Sequence, residues 1–179
     1  LNAALHEAAC AAWSLKRYYD GGRPIAFIRY MGGLGQSTQV GGVSYHPNGL
    51  PLVTNLIELV TSATASVGGR HQGLPVGRVA IYCWPGQPTN PATQHSGVKW
   101  IRADNWLPFQ KATFVTPAFP GYVSGHSTFS RAAAEVLTAI TATPFFPGGL
   151  GTFTVNTTNY LSFEQGPSEP LQLQWATYY

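Results

Sequence analysis

The sequence predicts a mainly α protein with long irregular loops, and three observations carry that expectation. Apolar residues recur every three to four positions over 1–20, 51–67 and 129–140, the period of a helix with one face turned to a core. Between these stretches 20 glycines and 14 prolines mark turns and breaks. A hydrophobic content of 44% in 179 residues suits one domain with a substantial core and excludes a disordered chain.

In the first helix, Leu1, Ala4, Leu5, Ala8, Ala9, Ala12 and Leu15 form the core side, with His6, Trp13 and Lys16 on another side. Gly21-Gly22 stops it, and Pro24 biases Arg23 away from helical geometry. A short apolar run over 25–30 precedes a glycine-rich loop, 32–36, which lacks the Gly-Lys-Ser/Thr closure of a phosphate loop. After a turn at 45–49, residues 51–67 place Leu52, Leu56, Leu59 and Val60 at helical spacing with Glu58 outward. The stretch 68–113 reads as irregular, with a strand-like run at 79–84 and Trp84, Trp100 and Trp106 as loop anchors. There His71 and His95 read as exposed, and Arg102, Asp104 and Lys111 as solvated charges. Phe129, Ala133, Val136, Leu137 and Ile140 make the apolar face of a later helix ending at Thr143-Pro144. Residues 152–163 read as a short hairpin or extended arm, and 170–179 as the start of a helix. Both ends look cut, so 1–179 is expected to be a single-domain fragment of a longer polypeptide.

Charged residues are only 9% of the chain and the net charge is +3, with basic residues scattered along the sequence. No phosphate-backbone stripe is visible, which argues against a nucleic-acid partner. No apolar run is long enough to cross a bilayer, so a soluble protein without a membrane span is expected, its compartment unknown and a secreted or periplasmic place open. Cys10 and Cys83 could pair or stay free. Asn156-Thr157-Thr158 is a glycosylation sequon, relevant only to a secreted eukaryotic protein. His6-Glu7-Ala8-Ala9-Cys10 lacks the second histidine of the helical zinc motif, and no third ligand stands nearby.

The stretch 119–129, Phe-Pro-Gly-Tyr-Val-Ser-Gly-His-Ser-Thr-Phe, carries the chemistry. Gly121 and Gly125 allow tight turns, and the amides of Ser124, Gly125 and His126 lie where a helix begins, a place that favours bound negative charge. The Ser124 hydroxyl can donate to an anion, and His126 can pass a proton near neutral pH. Ser124 also suits a plain N-cap. Earlier, at 16–24, Lys16 and Arg23 would stand about 10 Å apart had the helix continued, and the glycine break lets Arg23 fold back so that both cations can reach one anion. The alternative is a lysine meeting the helix dipole and a surface arginine.

A lysine, six residues, then Arg-Pro, followed later by Ser-Gly-His, resembles the first two signatures of the superfamily joining vanadium-dependent haloperoxidases with type 2 phosphatidic acid phosphatases. Trp13, three residues before the lysine, and Thr116-Pro117-Ala118-Phe119-Pro120-Gly121-Tyr122 are similar to the haloperoxidase branch. Val123 departs from the family's usual proline. The third signature, Ser-Arg, five residues, then His, is absent: the Ser130-Arg131 pair leads to Leu137, and no histidine follows His126.

The resemblance implies a helical bundle of the haloperoxidase/acid phosphatase type. It implies vanadate, with phosphate able to substitute, held by Lys16, Arg23, Ser124 and Gly125, with His126 catalytic and Trp13 and Phe119 lining the pocket. The substrates implied are hydrogen peroxide and halide. The vanadium-bonding histidine is expected in a missing C-terminal part, with no metal ligand in 1–179, and this chain alone is expected to be inactive. Two other readings stand beside it: a soluble acid phosphatase of the same superfamily acting on a phosphate ester, and a non-enzymatic helical interaction domain. Oligomeric state is left open.

Overall fold

The structure, a computed structural model, describes residues 1–157 and 161–179. In chain order its elements are α1 (Asn2–Tyr19), α2 (Pro24–Leu34), β1 (Ile57–Leu59), α3 (Ser62–Ala65), β2 (Val79–Cys83), β3 (Lys99–Arg102), a 3-10 turn (Ala103–Asn105), α4 (Gly125–Thr141), β4 (Gly151–Val155) and β5 (Leu171–Trp175). Among the described residues three helices of more than ten residues stand beside five strands and long loops. The mainly α expectation therefore holds only loosely. Where the sequence predicted one domain, the chain divides into two compact units: Leu1–Arg23, Thr116–Leu161 and Gly166–Tyr179 form the first, and Pro24–Val115 with Ser162–Gln165 the second.

In the first unit α1 packs on α4. The buried stripe of α1 is Ala8, Ala12 and Lys16, spaced four apart, so two small residues let the helices approach closely while a lysine shares their face. This corrects the sequence reading, which put Lys16 on a different side from the alanines and Leu15 in the core; Leu15 is exposed. The left-handed residue that stops α1 is Asp20 (φ 43), whose N–H bonds the Lys16 carbonyl at 2.9 Å, one position before the predicted glycines. Helix α4 covers its predicted span, with Ala134 buried and Ile140 exposed.

The predicted helix at 170–179 is instead a strand. Leu171, Leu173 and Trp175 alternate with glutamines, a period of two, and β5 pairs antiparallel with β4 in the register Gly151↔Trp175, Phe153↔Leu173, Val155↔Leu171. Gly151 is required there: a Cβ would lie 2.9 Å from the Trp175 indole nitrogen. The predicted arm at 152–163 thus begins as β4, while its Tyr160 and the Thr158 of the sequon lie outside the described residues.

In the second unit α2 runs through Gly32 and Gly33, where the sequence suggested a loop. Pro24 suits the first helical position, and the missing side chain of Gly32 admits a neighbour: a Cβ would stand 2.7 Å from the Ala103 Cβ. Strands β1, β2 and β3 form an antiparallel sheet in that order, with Ile57↔Ile81 and Ile81↔Ile101 in register. Its core is Leu50, Val79, Ile81 and Ala103, flanked by Ile28, Met31, Ile57, Ile101 and Trp106.

The helix predicted over 51–67 is therefore corrected to a short strand and the one-turn α3, because pairing with β2 outweighs local helical spacing. Glu58 points inward, not outward: its carboxylate accepts from the Asn55 amide (2.8 Å) and from Arg70 Nε (2.9 Å). His71, expected to be exposed, is fully buried against Trp100, its Nδ1 3.0 Å from the Thr64 hydroxyl. Trp84 anchors its loop as expected, edge-on to Phe109 and Phe163 and donating to Glu164. Both cysteines are free, and burial raises the Cys83 thiol to about 11. No helix among the described residues is long and apolar enough to cross a membrane.

Candidate functional site

Within the first unit the two signature segments meet. Lys16 is 3% exposed, and its amine donates to the carbonyls of Pro120 (2.8 Å) and Gly121 (3.3 Å). Arg23 donates from Nε to the Phe119 carbonyl (2.7 Å), and the Gly121 amide donates to the Gly21 carbonyl (3.0 Å). The loop after α1 and the loop before α4 are thus laced by backbone and cation together. Gly121 permits this approach, since a Cβ there would lie 3.1 Å from the Gly22 carbonyl oxygen.

An aromatic ring lies beside both cations. The Phe119 centroid is 5.2 Å from Lys16 Nζ, 4.3 Å from the Arg23 guanidinium carbon and 5.5 Å from the Trp13 ring. Ring faces attract cations, which partly compensates the water these side chains have lost. Lys16 still titrates below its ordinary value, first because it is buried and second because Arg23 stands near. Arg23 Nη2 is buried and has no hydrogen-bond partner among the described residues. A buried guanidinium nitrogen left without an acceptor is costly unless a ligand supplies one.

Ser124 is the N-cap of α4, its hydroxyl accepting from the Ser127 amide at 3.2 Å. The plain capping role is therefore filled, and the hydroxyl keeps its own proton to donate. The Gly125 and His126 amides begin the helix without an acceptor among the described residues. Gly125 sits against Trp13: a Cβ would come within 3.3 Å of the indole ring. His126 is exposed and has no hydrogen bond to any described residue.

A hollow of about 320 Å³ adjoins the lysine, lined by Trp13, Lys16, Arg17, Asp20, Phe119 and Pro120. Of the predicted site residues it gathers Trp13, Lys16 and Phe119; Arg23, Ser124, Gly125 and His126 are not on its wall. The sequence reading passed over Arg17, Asp20 and Pro120 as wall residues. Their position beside Lys16 and Phe119 in the two signatures was the available signal. Among the described residues no group of three or more histidine, cysteine, aspartate or glutamate side chains is placed to hold a metal ion.

A family model described as the VCPO second helical-bundle domain matches residues 75–179. No curated protein and no solved structure matches the chain.

Proposed function

The chain belongs to the family of the VCPO second helical-bundle domain, within the vanadium haloperoxidase superfamily, and from that premise we propose that the cradle of Lys16, Arg23, Ser124 and Gly125 holds vanadate in a halide-oxidising peroxidase. The observation that carries the reading is Arg23 Nη2, a buried donor without an acceptor, beside a buried lysine. The donor set suits an oxyanion. Lys16 spends two of three N–H groups on carbonyls and keeps one, the Ser124 hydroxyl keeps its proton, and the Gly125 amide is unspent. Every one of these is a donor, and a tetrahedral oxyanion offers acceptors in all directions; phosphate shares that shape and charge.

Vanadate, when bound, supplies the activation of hydrogen peroxide toward halide. The chain's own part is electrostatic: Lys16 and Arg23 oppose the anion's negative charge. His126, exposed and without a hydrogen bond to any described residue, is the imidazole of the second signature and is assigned the proton transfer. Trp13 and Phe119 wall the approach with aromatic faces. These 179 residues alone are expected to show negligible halide oxidation, because no second imidazole follows His126 in the sequence.

Calorimetric titration of the chain with orthovanadate tests the reading. Saturable binding that weakens in K16A and R23A supports it; vanadate binding no tighter than chloride overturns it. Turnover of a chromogenic phosphate ester, inhibited by vanadate, would move the site to the phosphatase branch of the superfamily. Binding of neither anion would leave a non-enzymatic interaction domain.

A further inference from the structure

The net charge of +3 is unevenly placed. In the first unit Lys16, Arg17, Arg23 and Arg131 are balanced by Glu7, Asp20, Glu135 and Glu169. In the second, Arg29, Arg70, Arg78, Lys99, Arg102 and Lys111 face only Glu58, Asp104 and Glu164. Two of those acids are already engaged, Glu58 by Arg70 and Glu164 by the Trp84 indole. Asp104 is left to the remaining cations, and three of them converge on it.

Arg102, at the end of β3, grips the Asp104 carboxylate with two nitrogens, Nε at 2.9 Å from Oδ1 and Nη2 on Oδ2. Arg78, just before β2, places Nη2 3.6 Å from the same Oδ2. Arg29, on α2, donates from Nε to the Asp104 main-chain carbonyl at 2.9 Å. One aspartate thus gathers three guanidinium groups, two on its carboxylate and one on its main-chain carbonyl, an excess of two positive charges. The two terminal nitrogens of Arg29, with Nε and Nη1 of Arg78 and Nη1 of Arg102, bond to nothing among the described residues. Arg78 and Arg102 keep 46% and 33% of their side-chain surface open to solvent.

We propose that Arg29, Arg78 and Arg102, gathered around Asp104, form a surface site for a phosphate-type dianion. Guanidinium groups are planar forks that match phosphate oxygens in pairs, and here Asp104 restrains them before any ligand arrives. A dianion cancels the excess charge; chloride cancels half of it and cannot bridge two forks. Like-charged groups held this close create a local positive field, and the anion relieves it.

The test is an NMR titration of the arginine Nε–H resonances of the full chain with inorganic phosphate, against sodium chloride at matched ionic strength. The expected result is saturable, concerted shifts at Arg29, Arg78 and Arg102 with phosphate alone, weakened about tenfold in R29Q/R78Q. R78Q by itself, which disturbs no backbone hydrogen bond, gives a smaller loss in the same direction and stands in if the double variant does not fold. K16A leaves these shifts unchanged, which separates this site from the Lys16 cradle: failure of either leaves the other standing. Shifts that merely follow ionic strength, or that persist in R78Q and R29Q/R78Q alike, overturn the proposal and reduce Asp104 to a neutralising hub.

Discussion

Arg23 and Phe119, ninety-six residues apart, are joined twice: the arginine donates to the phenylalanine carbonyl at 2.7 Å, and its guanidinium carbon lies 4.3 Å from the ring centre. The same guanidinium therefore has Nε committed to the protein, its face covered by an aromatic, and Nη2 buried with no partner among the described residues. Lysine in its place keeps the charge but loses the fork and the stacking. R23K should weaken vanadate binding about tenfold, and R23Q more, because a single point charge replaces a paired donor. Equal affinities in wild type and R23K, measured by titration, would contradict this.

Lys16 titrates below 10.5, pushed down by burial and then by Arg23. A lysine whose folded value is depressed binds fewer protons folded than unfolded. Its burial therefore costs stability at neutral pH, and that cost is relieved as pH rises from the folded value toward 10.5. Anion affinity runs the other way, since the neutral amine no longer offsets negative charge. Over that window thermal stability is expected to rise relative to a Lys16→Met variant while vanadate binding weakens. Parallel pH profiles for wild type and K16M would remove Lys16 from both effects.

Gly32 and Gly33 are neighbours on α2 with opposite surroundings. A methyl on Gly32 would stand 2.7 Å from the Ala103 Cβ and 2.9 Å from its carbonyl carbon, whereas one on Gly33 meets nothing within 4 Å. G32A should destabilise by about 1–3 kcal/mol through overpacking against backbone that cannot move aside. G33A should stabilise by about 0.5–1 kcal/mol, the usual gain of alanine over glycine inside a helix. Denaturant unfolding of both variants reads the sign directly; a stabilising G32A would mean that α2 and the 3-10 turn are further apart.

What the sequence made legible follows from how local each signal is. The α4 span, the Val79 strand and the approximate end of α1 depend on residues a few positions apart. The two signature segments are compact motifs as well, and their meeting through Lys16 and Arg23 required only that Arg23 turn back. The errors arose where distant partners decide. Leu52, Leu56 and Leu59 fit a helix on paper, yet Ile57 pairs with Ile81, and that ladder turns Glu58 inward. Leu171 and Leu173 alternate, but their strand character shows only against β4. Arg29, Arg78 and Arg102 look scattered until one aspartate collects them. His71 sits among glycines, which suggested exposure, and it is Trp100 on the distant strand β3 that covers it.

That burial makes His71 an acid sensor for the second unit. Its Nδ1 meets the Thr64 hydroxyl at 3.0 Å, and its Nε2 lies 3.4 Å from Glu58 Oε2, with Arg70 on the same carboxylate oxygen. Desolvation lowers its affinity for a proton; Glu58 pulls the other way, and Arg70 adds a smaller depression. Because the folded value lies below the ordinary 6.5, the unfolded chain binds the proton first. Stability should hold above 6.5, fall as pH drops from there toward the folded value, and level off once the folded imidazole is also charged. H71Q, which keeps a hydrogen-bonding side chain and cannot titrate, should lose about 1–3 kcal/mol near neutral pH but flatten the acid limb. E58Q removes the group that supports the imidazolium, so the folded value drops further and the acid limb steepens. Denaturant midpoints across this range decide the matter: an acid limb as steep in H71Q as in wild type assigns the sensitivity to another group.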